Sequence, residues 1–140
     1  MKKKIIGYTS GVYDLFHLGH LNILKKAKEQ CDYLIVSVST DELVQKYKNK
    51  TPIIDFKSRK EIIESIKYVD EVVPQVNRDK MQAFHQYRFD RIFVGNDWKG
   101  SELWNNLEGQ LKQFNAEVIY FDYTPGISTT EILRKIKNNP

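Results

Sequence analysis

The sequence has little of several residue types and patterns that mark particular classes of protein. Its 140 residues include one cysteine, Cys31, so no internal disulfide can form and the reducing cytoplasm is the expected location. No apolar run approaches the roughly 20 residues that a membrane span needs, and too few apolar residues follow the basic start MKKK for a signal-peptide core. Internal repeats and low-complexity tracts are also missing. Hydrophobic residues make up 41% of the chain, which suits one packed domain and excludes a disordered or fibrous protein.

Neither sign of charge dominates the chain. The formal net charge is +4 and the isoelectric point is about 9.0, a modest basic excess that suits small anionic substrates or nucleic acid. A nucleic-acid-binding module would need a continuous basic stripe with interleaved aromatic residues. The lysines instead cluster in QKYKNK, residues 45–50, which we expect to be a loop. We therefore predict no nucleic-acid partner and no membrane partner.

Alternating strand and helix patterns run along the chain. We predict strands at 4–9, 33–39, 71–74, 91–95 and 117–121, with amphipathic helices between them. Capping-box spacings at Ser39/Glu42, Ser58/Glu61 and Ser128/Glu131 predict helix starts. This order predicts an α/β fold, a single doubly wound Rossmann-like domain over residues 1–140, with a five-stranded, mostly parallel sheet and helices on both faces. Ligands bind beyond the carboxyl ends of such strands, so a functional motif should directly follow one.

Two of the three histidines meet that condition. His17 and His20 in SGVYDLFHLGHLNIL, residues 10–24, follow the first strand and precede the first helix. Their spacing puts both imidazoles on one side of a helical turn, beside free backbone N–H groups that attract anions. Gly19 leaves room for a ligand to approach the backbone. We predict phosphate binding here; the alternatives are an exposed histidine pair or a zinc site, although no cysteine lies nearby.

A second candidate site follows the fifth strand. In TPGISTTEIL, residues 124–133, a Pro-Gly turn precedes a helix start that is rich in hydroxyl groups. Hydroxyls and free N–H groups there form an anion cradle. A plain capped helix would explain Ser128 and Glu131 but not the additional Thr129 and Thr130. Two such helix starts on one sheet predict a polyphosphate between them, with the lysine-rich segment 46–50 as a lid.

Several motifs resemble one known family. HLGH at 17–20 resembles the H-x-G-H motif of the nucleotidyltransferase superfamily, and GISTT at 126–130 resembles its second motif as found in cytidylyltransferases. GNDW at 95–98 resembles the G-x-D-W segment of glycerol-3-phosphate cytidylyltransferases, to which STDE at 39–42, RKEIIESIKYVDEVVP at 59–74 and TPGISTT at 124–130 are also similar. The resemblance covers nearly the whole chain in order, so the chain is identified as a member of the cytidylyltransferase family.

The resemblance implies a reaction and a set of site residues. The reaction is transfer of CMP from CTP to a small phosphorylated alcohol, with glycerol 3-phosphate as the first expectation, in a homodimer that uses Mg²⁺ held mainly by the substrate phosphates. No residues are expected to ligate a resident metal. The implied catalytic residues are His17, His20, Lys46, Lys48 and Asp14, the last to orient a histidine or help hold the metal. The implied nucleotide-binding residues are Ser10, Gly11, Val12, Gly19, Gly95, Asp97, Trp98, Tyr123, Thr124, Gly126, Ile127, Ser128 and Thr129. The implied acceptor-binding residues are Arg59, Lys67 and Arg78, although Arg59 could equally be structural or a helix-surface charge.

Some positions depart from the glycerol 3-phosphate pattern. Tyr123 stands where an arginine usually precedes T-x-G-I-S, and Arg78 stands where a tryptophan occurs. Val12, Lys67 and Asn96 replace a threonine, an arginine and an aspartate. These changes leave open another acceptor, such as phosphoethanolamine, phosphocholine or a phosphorylated amide.

More distant alternatives are adenylyl transfer from ATP and a catalytically dead nucleotide sensor. A sensor should have lost a histidine or the lysines, which this chain keeps. An aromatic cluster is expected to pack a helix on the sheet or to form a dimer face; it comprises Phe84, His85, Tyr87, Phe89 and Trp104.

Overall fold

Five parallel strands form the centre of the molecule. The computed structural model describes residues 3–139, and the strands are β1 (Ile6–Gly11), β2 (Tyr33–Ser39), β3 (Glu71–Gln75), β4 (Arg91–Gly95) and β5 (Glu117–Phe121). Their order in the sheet is β3-β2-β1-β4-β5, and every neighbouring pair is parallel. All five predicted strands are present, and the predicted α/β class is confirmed. The first strand lies two residues later than predicted because its pairing with β2 begins at Ile6 and continues to Gly11.

Helices cover both faces of the sheet, as predicted. They are α1 (Leu18–Glu29), α2 (Asp41–Lys48), α3 (Phe56–Glu64), α4 (Lys80–Tyr87), α5 (Glu102–Lys112) and α6 (Thr129–Asn138), with a short 3₁₀ turn at Asn96–Trp98. One apolar cluster joins α4 and α5 to the sheet through Phe84, Trp104 and Leu111. A second cluster on the opposite face joins α1 and α3 through Leu24 and Ile63. The order of strands reverses between β1 and β4, so the expected ligand position lies beyond their carboxyl ends.

Two of the three predicted helix caps are wrong by one or a few residues. The hydroxyl of Thr40, not Ser39, caps α2, and the carboxylate of Asp55, not Ser58, caps α3. Ser39 is still in β2, where its hydroxyl donates to Gln75 at 2.7 Å. Ser128 caps α6 as predicted, by accepting the N–H of Glu131.

The prediction of a lysine-rich loop at 46–50 is also wrong. Lys46 and Lys48 lie in the last turn of α2, which ends at Asn49 in the left-handed conformation with φ 54°. Lysines are favoured there because they face the negative end of the helix dipole. Lys46 and Lys48 therefore belong to a helix and not to a free loop, whereas Lys50 follows the helix. Within residues 3–139, no helix combines the length and apolarity that crossing a membrane would require.

Candidate active site

The loop between β1 and α1 is held in a strained conformation. Tyr13 and Leu15 have φ values of 56° and 51°, in the left-handed region that residues other than glycine rarely adopt. Between them, the carboxylate of Asp14 accepts the N–H groups of Leu15, Ile53 and Ile54 at 3.1, 2.7 and 2.9 Å. Strained backbone persists only where its surroundings over-determine it. Asp14 supplies part of that support by tying the loop to the segment before α3.

This geometry changes the role expected for Asp14. Its carboxylate oxygens are engaged by backbone N–H groups, and among residues 3–139 no hydrogen bond joins it to either histidine. Orientation of a histidine by direct hydrogen bonding is therefore wrong for this structure. Asp14 positions the loop that carries the histidines.

His17 and His20 start α1, as the sequence predicted. His17 is the N-cap residue, and its Nδ1 accepts the N–H of Gly19 at 3.1 Å. The Nδ1 of His20 accepts the N–H of His17 at 3.2 Å. The two rings stack with centroids 3.8 Å apart. A Cβ atom at position 19 would lie 2.9 Å from the ring of His17, which is a physical reason for glycine there.

The hydrogen bonds determine which nitrogen of each imidazole carries the proton and can donate it to a ligand. Because each Nδ1 accepts an N–H, it carries no proton, and the proton of the neutral ring is on Nε2. Burial and, to a smaller extent, the neighbouring His17 lower the pKa of His20 to about 4 against an opposing effect of Asp14. Burial also lowers the pKa of His17. Both rings are thus neutral near pH 7 and offer Nε2–H donors of the kind that bind phosphate oxygens.

The start of α6 is tied to the start of α1. Asn22 of α1 donates to the hydroxyl of Thr124 at 2.9 Å, and the hydroxyl of Thr129 donates to the carbonyl of Asp14 at 3.1 Å. Ile127 lies 3.6 Å from the position that a Cβ of Gly19 would take. The two predicted anion sites are therefore neighbours, as a polyphosphate between them requires.

The hydroxyl groups at α6 have partners within the protein. Ser128 caps its own helix, and Thr129 holds the histidine loop, so Thr129 has a structural use that the capped-helix alternative lacked. Gly126 has φ 78°, which favours glycine in the turn before the helix. Phosphate contacts by these residues stay a prediction.

A cleft of about 1330 Å³ opens beside the histidine loop, on the face covered by α4 and α5. The predicted site residues that line it are Ser10, Gly11, Val12, Lys48, Arg78, Trp98 and Tyr123. The histidines and the start of α6 are not among the lining residues. The candidate site therefore has two compartments, the paired helix starts and the cleft, and residues 10–12 line the cleft and lead into the histidine loop.

Lys80 is the cleft residue that sequence analysis missed. Its Nζ donates to the hydroxyl of Ser10 at 2.8 Å, and among residues 3–139 no carboxylate forms an ion pair with it. Burial, together with the positive charge of Arg78, lowers its pKa to about 8. A largely buried cation with a perturbed pKa in a cleft is a candidate for a functional site. The available sequence signal was its place at the start of a helix directly after β3.

Tyr123 closes the end of the cleft near β4. Its hydroxyl donates to Asp97 at 2.7 Å, and its ring lies so close to Gly95 that a Cβ there would be 2.3 Å from the hydroxyl oxygen. Burial raises the pKa of Tyr123 to about 12, and the bond to Asp97 contributes. Tyr123 is thus a neutral donor at the position where the resemblance expects an arginine. Asn96 and Asp122 form a parallel contact between the same two segments.

Arg59 is not an acceptor ligand in this structure, and it is not a helix-surface charge. Its side chain is fully buried, and its guanidinium donates to the carbonyls of Ile54, Val12 and Ser39, each at 2.8 Å. It also pairs with Asp41 at 2.5 Å. With these partners, Arg59 joins the histidine loop, the end of β2 and the start of α2. The geometry therefore supports a structural role for Arg59.

Lys67 lies away from the cleft. It lies four residues before β3 begins at Glu71, so it is at the amino end of a parallel sheet whose cleft is at the carboxyl ends. Its ammonium group lies over the ring of Tyr68, 5.3 Å from the centroid. Lys67 does not line the cleft, and acceptor binding by this residue stays a prediction that the geometry does not support. Of the two lysines of α2, Lys48 lines the cleft and Lys46 does not.

Comparison with known proteins shows which family the chain belongs to. Residues 8–135 match the family described as Cytidylyltransferase-like. The chain belongs to this family. Glycerol-3-phosphate cytidylyltransferases from Bacillus subtilis (strain 168) and Staphylococcus aureus (strain NCTC 8325 / PS 47) are 41% and 40% identical to it over 135 residues. Those alignments cover 96% of this chain and 97% and 95% of the two relatives.

A solved structure also resembles the fold. The lipopolysaccharide core biosynthesis protein from Thermoplasma volcanium GSS1 superposes with a TM-score of 0.71 at 30% identity, covering 87% of this chain and 98% of that protein. In this cytidylyltransferase-like chain, the segments HLGH and GISTT lie at the paired helix starts. Arg78 and Tyr123, which depart from the glycerol 3-phosphate pattern, line the cleft.

Proposed function

We propose that the protein transfers CMP from CTP to glycerol 3-phosphate, giving CDP-glycerol and pyrophosphate. The observation that carries this proposal is the identity of about 40% over nearly the whole chain with glycerol-3-phosphate cytidylyltransferases. The chain is accordingly a nucleotidyltransferase. The geometry of the two compartments supplies a physical route for the reaction.

In this route the CTP phosphates bind at the paired starts of α1 and α6. The Nε2–H groups of His17 and His20 and the free N–H groups of the two helix starts donate to phosphate oxygens. The nucleoside of CTP extends into the cleft toward Trp98 and Tyr123, and the acceptor binds in the same cleft beside residues 10–12, next to the histidine loop. A phosphate oxygen of the acceptor attacks the α-phosphorus in line, a new P–O bond forms, and the bond to the β-phosphate breaks as pyrophosphate leaves.

No side chain has to act as nucleophile, because the acceptor is already a phosphate anion. The protein contributes by holding two anions close together and by neutralising the charge that develops on the α-phosphate. Neutral imidazoles suit this task because they donate hydrogen bonds without having to change protonation state near pH 7.

Mg²⁺ would add charge neutralisation between the phosphates. Among residues 3–139, no three histidine, cysteine or acidic side chains are grouped as a metal site, and Asp14 is engaged by backbone N–H groups. This donor set fits an ion that arrives with the triphosphate and is held mainly by it, as Mg²⁺ often is.

We further propose a homodimer that works in the cytoplasm. The exposed aromatic ring of Phe114 packs near Phe84 and His85 on the outer side of the α4–α5 face and supports a dimer contact there. The single cysteine, half-buried just beyond α1, is compatible with a reducing compartment. Light scattering at micromolar concentration tests the dimer, and a monomeric mass would contradict it.

The test of the reaction is pyrophosphate release with each of four nucleoside triphosphates and a panel of phosphorylated alcohols. The panel contains glycerol 3-phosphate, phosphoethanolamine and phosphocholine. We expect CTP with glycerol 3-phosphate to give the highest kcat/KM. Turnover with ATP at least as fast as with CTP would overturn the proposed base preference, and a different best alcohol would overturn the proposed acceptor.

A further inference from the structure

The cleft carries more positive charge than its own residues balance. Lys48, Arg78 and Lys80 line it, and Asp79 is the acidic side chain among its lining residues. The carboxylate of Asp79 caps α4 by accepting the N–H of Gln82 at 3.0 Å. Within residues 3–139, none of the three cations has an ion-pair partner. Burial and the charges of Lys50 and Arg78 lower the pKa of Lys48, and burial and Arg78 lower that of Lys80.

Arg78 is held in a defined orientation by an aromatic ring. Its guanidinium carbon lies 4.4 Å from the centroid of the ring of Tyr47, which is within cation–π range. Tyr47 belongs to α2 and Arg78 to the segment between β3 and α4, so the contact joins two elements across the opening of the cleft. In the part of the chain that the structure describes, the guanidinium N–H groups of Arg78 donate no hydrogen bond.

A guanidinium that contacts an aromatic ring keeps its N–H donors free for another ligand. Those donors form a planar fork that matches two oxygens of a phosphate group. Lys80 supplies a second charge at the start of α4, where its one hydrogen-bond partner is the neutral hydroxyl of Ser10. Ser10 lies at the end of β1, two residues before the histidine loop begins at Val12. An anion between Arg78 and Lys80 would therefore lie close to Ser10 and to the segment that leads into the histidine loop.

We propose that Arg78 and Lys80 together bind the phosphate group of the acceptor, and that Tyr47 is a positioning residue that holds Arg78 in place for it. This inference rests on the proposed function, because it assigns the acceptor end of the same reaction. It makes the Tyr47–Arg78 contact a determinant of acceptor specificity in this chain, since Arg78 stands where the glycerol 3-phosphate pattern has a tryptophan. The ligand class is a phosphomonoester dianion, whose charge of about −2 matches the two cations.

The first experiment measures binding without chemistry. Isothermal titration of glycerol 3-phosphate and of inorganic phosphate is done on the wild-type protein, Arg78→Ala, Arg78→Lys, Tyr47→Leu and Tyr47→Phe. We expect Arg78→Ala to weaken binding of both ligands roughly 10- to 100-fold, since a hydrogen bond to a charged group is lost. Arg78→Lys should recover part of the affinity, because the charge returns without the planar fork.

Tyr47 provides the matched pair of variants. Tyr47→Phe keeps the ring and should bind both ligands like the wild type, whereas Tyr47→Leu should weaken binding roughly 2- to 5-fold through loss of the ring contact. The melting temperatures of the two variants should agree closely, since the side chain is only half-buried. In turnover assays Tyr47→Leu should raise KM for the acceptor and leave KM for CTP unchanged, whereas Tyr47→Phe should change neither.

Lys80 gives a dependence on pH that a purely structural lysine would not. The titratable groups that line the cleft around it are Tyr47, Lys48, Arg78, Asp79 and Tyr123. Because the pKa of Lys80 is lowered to about 8, free Lys80 is charged below that pH and loses its charge above it. Affinity for glycerol 3-phosphate should therefore fall as pH rises through about 8, and Lys80→Arg should hold its affinity to higher pH.

The outcomes separate this inference from the proposed function. Absence of pyrophosphate release with every substrate pair would contradict the reaction, while the titrations would still test the phosphate site. Wild-type protein that binds neither ligand at millimolar concentration would overturn the inference. Unchanged affinity in both Arg78→Ala and Tyr47→Leu would overturn it as well, even if the enzyme turns over CTP.

Discussion

Replacement of Arg59 should lower the free energy of unfolding, because Arg59 has a structural role and is not a ligand of the acceptor. The variant Arg59→Met removes the guanidinium and keeps much of the apolar stem. In the wild type, the guanidinium donates to three backbone carbonyls and pairs with Asp41, and its side chain has no exposed surface. The variant therefore leaves several acceptors without a donor.

The magnitude follows from how well each partner can be rehydrated. The carbonyl of Ser39 accepts a buried hydrogen bond, and an unsatisfied buried acceptor costs about 1–3 kcal/mol. The bonds to Val12 and Ile54 are only partly buried, so their loss costs about 1 kcal/mol each. The side chain of Asp41 is 33% exposed and can regain water, so it adds little. We expect the free energy of unfolding to fall by about 3–5 kcal/mol, a large share of the 5–15 kcal/mol typical of a domain.

The assay is urea unfolding followed by circular dichroism, with Lys60→Ala as the control. Lys60 lies next to Arg59 on α3 and forms an exposed pair with Glu64, so its loss should cost less than about 1 kcal/mol. Arg59→Lys should lie between the two, because one ammonium group cannot reach all four partners. If Arg59→Met unfolds within about 0.5 kcal/mol of the wild type and raises KM for the acceptor, the structural role is refuted and the original acceptor assignment returns.

Three further predictions test the site. His17→Ala and His20→Ala should each lower kcat roughly 10²- to 10³-fold, since each removes a preorganised donor, while His85→Ala, on the exposed surface of α4, should not; normal kcat in either variant would return that histidine to a structural role. Lys48→Ala should reduce kcat/KM more than Lys46→Ala because Lys48 lines the cleft, and equal effects at subsaturating substrate would contradict this placement. Gly95→Ala should displace the ring of Tyr123 and break its bond to Asp97, so it should raise KM for CTP, and the further change Tyr123→Ala should remove the clash; unchanged nucleotide KM would show that neither the ring nor Asp97 contributes to nucleotide binding.

The positions of the secondary-structure elements could be predicted from local patterns. β-Branched and aromatic runs such as 33–39 and 91–95 correspond to strands, because such side chains suit a pleated, buried surface. The alternation with amphipathic helices then restricts the sheet to parallel crossovers. Errors arose where short-range signals compete. Ser39 and Thr40 are both good caps, and only the length of β2 decides between them. The segment 45–48 has charges typical of a loop, but it continues an apolar helix face and stays helical.

The two helix starts that carry the predicted anion sites were also predictable, because each motif sits where a strand ends and a helix begins. HLGH and GISTT carry their chemistry in adjacent residues, and local backbone geometry aims both imidazoles and N–H groups at one side. The family resemblance extended this to a reaction. Pairing of the two starts needed the sheet, which brings residues 14 and 129 within hydrogen-bonding distance.

The sequence by itself therefore determined the α/β class, the element order and the histidine and hydroxyl motifs, since these depend on neighbours a few residues apart. Only the tertiary structure decided the roles of the charged residues. Arg59 is buried because carbonyls from segments up to 47 residues away meet around it, and Lys67 lies away from the cleft because it precedes the amino end of β3. Lys80 became visible only through its contact with Ser10, 70 residues away. The physical reason is that the environment of a charge is set by long-range packing, which no local pattern contains.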